Sequence, residues 1–366
     1  MNTIIISDLH FGFKNNSISW FDNQNIFFEK QFIPYLQTLE KENTTLVVTG
    51  DIFDNRQIIH QLIRYKVEKL FIEFAKHVKK IYIVSGNHDI YTSDSNEICS
   101  LDKFQFLANN IEVFIDSNVT IDKEYGYCFL PWCSTPEIFK SKVLDIKTHI
   151  KNGEKIKHIF CHAQMPTCVN NKMIPDISED DIEAIPNVIF WAGHVHTTSI
   201  KVGRKYNQPG APYGMTFSDA NQDRGFTHIS DEKIIFLPNK YSWCFYRFKD
   251  DEIFNKQFQD IQSDFIELYL TRSFSGDSTK MYNLEHYIKN CKNLSIVYEP
   301  IFDDIQQDNE VATATKQENV SSDYATDVVV QSGVSSYIDI IVKRAPAEIA
   351  SIVELIVEKY KVNTIK

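Results

Sequence analysis

The chain contains no run of the roughly 18 to 20 consecutive apolar residues that a membrane-spanning helix requires, although 43% of its 366 residues are hydrophobic. Its amino terminus shows no basic region and no cleavage site, and passes directly into the strand-like Thr3-Ile4-Ile5-Ile6-Ser7. Both absences lead to the expectation of a cytoplasmic protein without membrane contact. Paired cysteines are missing too. Cys99, Cys128, Cys133, Cys161, Cys168, Cys244 and Cys291 include no pair at zinc-ligand or redox spacing, which predicts free thiols in a reducing compartment. Positive charge is in deficit, with 38 Lys and Arg against 49 Asp and Glu and a net charge of −11. That excludes a surface coated in positive charge to hold nucleic acid, though not a local basic groove. Residues 302–327 hold seven acidic residues against Lys316, which is −6 of the total, so the remaining body is far less negative.

What is present is a long chain with a change of texture along it. Its length favours two domains, or one large domain with appendages. The first half alternates short β-branched runs with longer helical patterns, as an α/β or layered α+β domain does. Strands are predicted at 3–7, 45–49, 81–85, 111–115, 127–130, 158–161 and 188–192, and helices at about 26–41, 58–78, 100–109 and 136–151. Beyond Thr198 shorter runs, richer in Gly, Pro and aromatics, predict an antiparallel sheet closing the domain. Ile266, Leu268 and Leu270 alternate before a helix carrying Met281, Leu284 and Ile288, which predicts a small second domain. Residues 303–327 are rich in Gln, Asn, Ser, Thr and acid, the composition of a flexible linker. Past the linker, Pro346 stands at a helix start, and Ile349, Ile352, Val353, Ile356, Val357 and Tyr360 share one helical face. Such a helical hairpin either folds back on the body or docks on another protein. The expected division is a body at 1–240, a small α+β domain at 241–301, an acidic linker at 302–333 and the hairpin at 334–366.

Four short segments carry chemistry: Asp8-Leu9-His10, Gly50-Asp51-Ile52-Phe53-Asp54, Gly86-Asn87-His88-Asp89 and Gly193-His194-Val195-His196, with Cys161-His162 between the last two. Each directly follows a predicted strand, which gathers residues distant in sequence at one sheet edge, where ligands bind in such folds. Carboxylate, imidazole and amide oxygen together make a mixed N/O site that suits Mn, Fe or Zn better than Mg. Two metals about 3.5 to 4 Å apart need a bridging ligand, and a carboxylate can bridge; Asp51 is the candidate. Any one motif arises by chance, and a lone histidine is more often a structural hydrogen-bonder than a ligand. Jointly that reading fails, because five of the eleven histidines, His10, His88, His162, His194 and His196, stand at strand ends. His60, His77, His149, His158, His228 and His286 lie inside helix, strand or surface patterns and read as structural.

The ordered set Asp-x-His, Gly-Asp-x-x-Asp, Gly-Asn-His-Asp, His and Gly-His-x-His resembles the calcineurin-like metallophosphoesterase superfamily over about the first 200 residues. Within it the chain resembles the SbcD-type nuclease subunits of the SbcCD DNA-repair complex and their tailed-phage recombination counterparts. That narrower likeness rests on Gln208-Pro209-Gly210-Ala211-Pro212, on Asp223-Arg224-Gly225-Phe226, and on the order of body, capping domain, polar linker and terminal hairpin. The resemblance implies a β-sandwich flanked by helices, a small α+β capping domain and two divalent metal ions, most simply Mn²⁺. One metal would be held by Asp8, His10, Asp51 and His196, and the other by Asp51, Asn87, His162 and His194. His88 would be the catalytic residue that is not a ligand. Several relatives carry a histidine where this chain has Asp54, so a phosphate contact there is not carried over.

The implied reaction is hydrolysis of a phosphodiester by a metal-activated water in an in-line displacement. His88, an imidazole able to carry a proton, would donate it to the leaving oxygen or brace the pentavalent state. Asp89 would orient His88, or cap the following helix or turn. The implied partners are duplex DNA ends and single strands, met through backbone contacts for which Lys14, Arg56 and Arg64 are candidates. The resemblance also implies an SbcC-like ATPase bound by the hairpin, and the apolar stripe of the helix at 58–78 either pairs two copies into a homodimer or is buried against the sheet. Two alternatives on the same scaffold are a small-substrate phosphodiesterase or protein phosphatase, and a non-catalytic binding module, which requires missing ligands where none is missing.

Overall fold

Successive residues of a strand point to opposite faces, so a strand that is apolar at every position must be covered on both sides. In the computed structural model, which describes residues 1–92, 95–166, 174–230, 233–256 and 263–299, that rule sets the layers. The strands are β1 (Asn2–Ile6), β2 (Thr44–Val48), β3 (Lys80–Val84), β4 (Ile90–Thr92), β5 (Ser95–Cys99), β6 (Ile111–Phe114), β7 (Thr120–Asp122) and β8 (Tyr127–Leu130). There follow β9 (His158–His162), β10 (Ile189–Gly193), β11 (Tyr206–Asn207), β12 (Gly225–Ser230), β13 (Lys233–Pro238), β14 (Phe245–Lys249), β15 (Phe265–Leu270) and β16 (Asn293–Tyr298).

Two sheets face each other. The first has the order β13-β12-β1-β2-β3-β6, with β1, β2, β3 and β6 parallel, and β12 and β13 added antiparallel at the β1 edge. The second has the order β11-β10-β9-β8-β7, parallel except for β7. Ile5, Val47, Phe160 and Trp191 point between the sheets, where they meet Tyr82, Phe114, Phe129 and Tyr127. Their neighbours Ile4, Ile6, Leu46 and Val48 point outward beneath helices packed on the first sheet. Ile159, Cys161, Phe190 and Ala192 do the same beneath the helix Pro136–Lys151 on the second. The fold is thus a mixed α/β sandwich flanked by helices.

The helices depart from the sequence pattern where local chemistry competes with it. The first long helix starts at Ile18, not near 26, because the Ser17 side chain accepts from the Trp20 amide and caps it. It passes through a π-helical turn at Phe28–Phe32 and ends at Gln37. The wider turn brings Phe27, Phe28 and Phe32 all into the core. The second helix is Gln61–His77; before it, Asn55 Oδ1 accepts from the Gln57 and Ile58 amides and holds a turn instead. Residues 100–109 contain only the short 3₁₀ turn Phe104–Phe106. Leu101 and Phe104 are buried three residues apart, a spacing that a 3₁₀ turn satisfies as well as an α-helix.

A third, parallel sheet of order β14-β15-β16 carries its own core of Phe248, Ile266, Leu268, Phe274 and Leu284 beneath the helix Ser278–Ile288. Residues Met1–Ile301 form one compact unit. The linker and hairpin, 302–366, lie outside the described residues. So does Cys168, and the other six cysteines are free thiols. Among the described residues no helix is long and apolar enough to cross a membrane. In the helix Gln61–His77, Ile63, Val67, Leu70, Phe71 and Phe74 are spent on the core, whereas Leu62 and Tyr65 are 43% and 58% exposed.

Phe129 is the centre of the layer between the sheets, stacked on Phe114 (centroids 4.3 Å apart) and Tyr82 (4.6 Å). Phe129→Ala is expected to lose about 3–5 kcal/mol of unfolding free energy in urea denaturation. A loss below about 1 kcal/mol would mean that the sheets do not meet there.

Candidate metal centre

Each metal-directed residue stands at the carboxyl end of a parallel strand. Asp8 and His10 follow β1, Asp51 follows β2, Asn87, His88 and Asp89 follow β3, His162 ends β9, and His194 and His196 follow β10. The loops after β1 and β2 are laced together by backbone bonds: Asp8 N–H to Gly50 O (3.1 Å), His10 N–H to Asp51 O (3.0 Å) and Phe11 N–H to Ile52 O (2.9 Å). To present their side chains, Asp8 (φ 52°), His10 (43°), Asp51 (53°) and His194 (92°) take up left-handed backbone. Such conformations cost of order 1–3 kcal/mol each and persist where the surroundings over-determine them. Gly50, at φ 99°, also has no room for a side chain, since a Cβ would strike the His162 ring and the backbone of Gly86. That close approach lets His162, on the second sheet, reach residues on the first.

The ligand atoms converge in overlapping groups. Those of Asp8, His10 and His196, of His10, Asp51 and His88, and of Asp51, His162 and His194 each lie within 4.8 Å of one another. Asp51 divides its carboxylate: Oδ1 accepts the His88 amide (2.8 Å), while Oδ2 lies 3.5 Å from His10 Nε2 and 3.3 Å from His162 Nε2. Asp8 is held the same way, Oδ1 accepting the His194 amide (2.9 Å), and its buried Oδ2 has no hydrogen-bond partner among the described residues. Asn87 Oδ1 is met by both His162 Nε2 (3.0 Å) and His194 Nδ1 (2.9 Å). His10 Nε2 and His196 Nε2 face each other at 3.0 Å. In this buried space each of these nitrogen and oxygen contacts needs either a proton shared between its atoms or a cation among them. The donor set is thus of a kind that would hold divalent cations, with Asp51 in two of the three groups.

The opposite ring nitrogens are anchored, which fixes the imidazole orientations. His162 donates Nδ1–H to Thr49 O (2.8 Å) and His88 donates Nδ1–H to Asp54 O (2.6 Å). The Asp54 carboxylate lies 3.3 Å from His10 Nδ1. Asp54 thus faces His10 with its side chain and His88 with its backbone. Asp89 is buried and accepts from the amides of Ile52 (3.0 Å), Phe53 (3.2 Å) and Gly86 (2.9 Å). It ties the loop after β2 to the loop after β3, and none of these three bonds goes to His88 or to a following helix or turn.

Without cations the centre is electrostatically loaded. Burial alone lowers the His162 pKa, but the charge and hydrogen bond of Asp51, with Asp8 and the Thr49 carbonyl, reverse this and raise it to about 9. Burial likewise disfavours the Asp51 carboxylate, yet His162, His10 and His88 hold it well below the usual range. Burial and the neighbouring Asp51 charge push Asp89 up to about 7, against the pull of its amide donors. Burial, with the charge of His162, lowers His194 to about 4.

Two contributors are not legible in the sequence motifs. Trp132, two residues beyond β8 at the same edge, lays its ring 5.3 Å from His194 and 5.9 Å from His162. Its placement past a strand end is the signal that marks the ligands too. Gln24 Nε2 reaches from the first helix to the carbonyls of Leu9 (3.1 Å) and His10 (3.2 Å), and nothing in its sequence context announces that. Of the basic candidates, Arg64 pairs with Glu68 (3.0 Å) and donates to Ser100 O (3.2 Å), Lys14 lies over the Phe13 ring (5.5 Å), and Arg56 is half-buried. His158 accepts the Trp191 indole N–H (3.1 Å), and His228 bonds Tyr35 and Asn2, both away from the centre.

Residues 1–198 match the family described as calcineurin-like phosphoesterase. Among solved structures, the chain is similar to the nuclease MPE from Pseudomonas putida, with 17% identity over 55% of this chain and 65% of that one and a TM-score of 0.28. It is also similar to a protein of unknown function from Aquifex aeolicus (18% identity, 46% and 82% covered, TM-score 0.26) and a 5′-nucleotidase precursor from Thermus thermophilus (10%, 66% and 55%, TM-score 0.35). The chain spans less than two thirds of the length of the first and third of these. No curated protein matches it.

A cation needs His162 neutral, whereas the metal-free centre keeps it protonated up to about pH 9. Metal affinity should therefore rise with pH toward that value, by about tenfold per unit for each proton displaced. Calorimetry of Mn²⁺ binding at pH 7.5, in buffers of different ionisation enthalpy, should show at least one proton released per chain; none released would contradict the assignment.

Proposed function

Because the chain belongs to the calcineurin-like phosphoesterase family, and so to the metal-dependent hydrolases, we propose that it is a manganese-dependent nuclease hydrolysing phosphodiester bonds at DNA ends in recombination, repair or replication. The observation that carries the reading is the shared Asp51 oxygen, 3.5 Å from His10 and 3.3 Å from His162, with the remaining ligand atoms grouped on either side. Asp8, His10, Asp51 and His196 would hold one cation, and Asp51, Asn87, His162 and His194 the other. When bound, the pair supplies a water of lowered pKa and neutralises charge building on the phosphoryl oxygens. Choice of a phosphodiester in DNA follows the likeness to SbcD-type subunits, in Asp223-Arg224-Gly225-Phe226 and in the order of segments after the metal motifs.

His88 has the geometry of a proton donor. Its Nδ1–H is spent on the Asp54 carbonyl, which leaves Nε2 as the end that acts. In the protonated ring Nε2–H can go to the leaving oxygen, and the neutral ring can recover a proton from solvent because the side chain is only half-buried. Asp89 and Gln24 act at one remove, by holding the loops from which the ligands project. The hairpin at 334–366 would bind an SbcC-like ATPase, and the exposed Leu62 and Tyr65 would meet a second copy.

Purified protein with Mn²⁺ should degrade end-labelled duplex DNA, alone or with the ATPase, and should also cleave bis-p-nitrophenyl phosphate. Cleavage of the small ester with intact DNA in every condition would overturn the nuclease reading in favour of a small-substrate phosphodiesterase. His88→Ala should keep its metal content and lose about 10²–10⁴-fold in turnover. Loss of metal in that variant would make His88 a ligand.

A further inference from the structure

We infer that a cavity beside the metal edge takes a single unpaired nucleotide, its phosphate on Arg224 and its base against the aromatic wall leading into β14. This rests on the nucleic-acid reading above. The cavity, of about 480 Å³, lies between the loop that ends at Arg224 and the segment that runs through Trp243 into β14. It is of small-ligand size.

Arg224 is the unusual element. Gly225 opens β12, and because β12 runs antiparallel to β1, the start of β12 lies at the end of β1 from which Asp8 projects. Arg224 is therefore within electrostatic reach of Asp8, yet only 6% exposed. Its Nη2 donates to Asp219 Oδ1 (2.7 Å) and Gln222 Oε1 (2.9 Å). Nε and Nη1 are buried and have no hydrogen-bond partner among the described residues. Asp219 meets only Nη2, its other oxygen accepting the amides of Met215 (2.8 Å) and Thr216 (3.0 Å). A buried guanidinium is tolerated when its donors are met, and one carboxylate at one corner leaves this one incomplete. A phosphate supplies several acceptor oxygens together with the opposite charge.

The opposite wall suits a base. Tyr246 and Trp243 are half-exposed, whereas Phe245 is buried and stacked on Phe265 (4.8 Å, 10° between planes) behind them. Lys256 lies over the Tyr246 ring at 4.8 Å. Aromatic faces of this kind stack nucleobases without demanding a sequence. The walls are also stapled to each other: Asn221 donates to Arg247 O (2.9 Å), its Oδ1 accepts the Arg247 amide (3.2 Å), and its own amide donates to Phe245 O (3.0 Å). Asp223 and Glu252 also border the cavity and offset Arg247 and Lys256. With Asp219 paired to Arg224 the charges lining the cavity balance, so an anion would be held by the unmet guanidinium donors of Arg224 and not by net charge.

Cys244 borders the cavity and is half-buried, so alkylation of its thiol reports occupancy. The full chain in EDTA is treated with iodoacetamide, with or without thymidine 5′-monophosphate, and modification is read by peptide mass. At a nucleotide concentration ten times its Kd, Cys244 should react about tenfold more slowly, with Cys291 unchanged. Thymidine or inorganic phosphate at that concentration should protect far less, and Arg224→Gln should abolish protection. Should Arg224→Gln not fold, Tyr246→Ala takes its place and should weaken protection. No slowing in the wild type, equal slowing at Cys291, or full protection in either folded variant would overturn the site. Because no metal or hydrolysis enters, the two readings fail separately. DNA cleavage without Cys244 protection removes the cavity inference alone, and protection without DNA cleavage removes the nuclease alone.

Discussion

One carboxylate organises this molecule. Asp51 is buried where burial disfavours its charge, and it remains charged because three imidazoles surround it. Its two oxygens have separate duties: Oδ1 is pinned by the His88 amide, and Oδ2 lies between His10 from the first sheet and His162 from the second. A carboxylate can be shared in this way only if the strand ends of two sheets come together at one point. The aromatic layer between the sheets and the close packing at Gly50 and Gly86 serve that requirement.

The cost of the arrangement is visible in the backbone. Asp8, His10, Asp51 and His194 occupy left-handed conformations, and Asp8 Oδ2 is buried without a partner among the described residues. The loops are held in these states by bonds that involve no cation: the ladder between the β1 and β2 loops, the three amides on Asp89, and Gln24 on the carbonyls of Leu9 and His10. The scaffold is thereby preorganised for the cations that it would hold. That is the usual division between a site and the surroundings that hold it in place.

The placement of the candidate ligands at one edge was legible because two signals coincide. Short continuous apolar runs locate the buried strands, and polar residues just beyond a run must emerge at its end, so Asp8, Asp51, Asn87, His162 and His194 could be put on one edge without knowing the strand order. Elements set by local competition were harder. The Ser17 cap and the π turn at Phe28–Phe32 moved the first helix, and the three-residue spacing of Leu101 and Phe104 read as α where the chain forms a 3₁₀ turn. The hairpin β4–β5 and the strand β14 have weak patterns of their own and owe their form to what they pair with. Contributions made by carbonyls, such as Thr49 to His162 and Asp54 to His88, leave no trace in side-chain identity.

The central claim is that two cations share Asp51. Crystals grown with Mn²⁺, with anomalous differences measured on either side of the manganese edge, test it most directly. Two peaks flanking the Asp51 carboxylate, one against Asp8, His10 and His196 and the other against Asn87, His162 and His194, are the predicted result. A single peak, or a peak that leaves Asn87 and His162 without a cation, would contradict it.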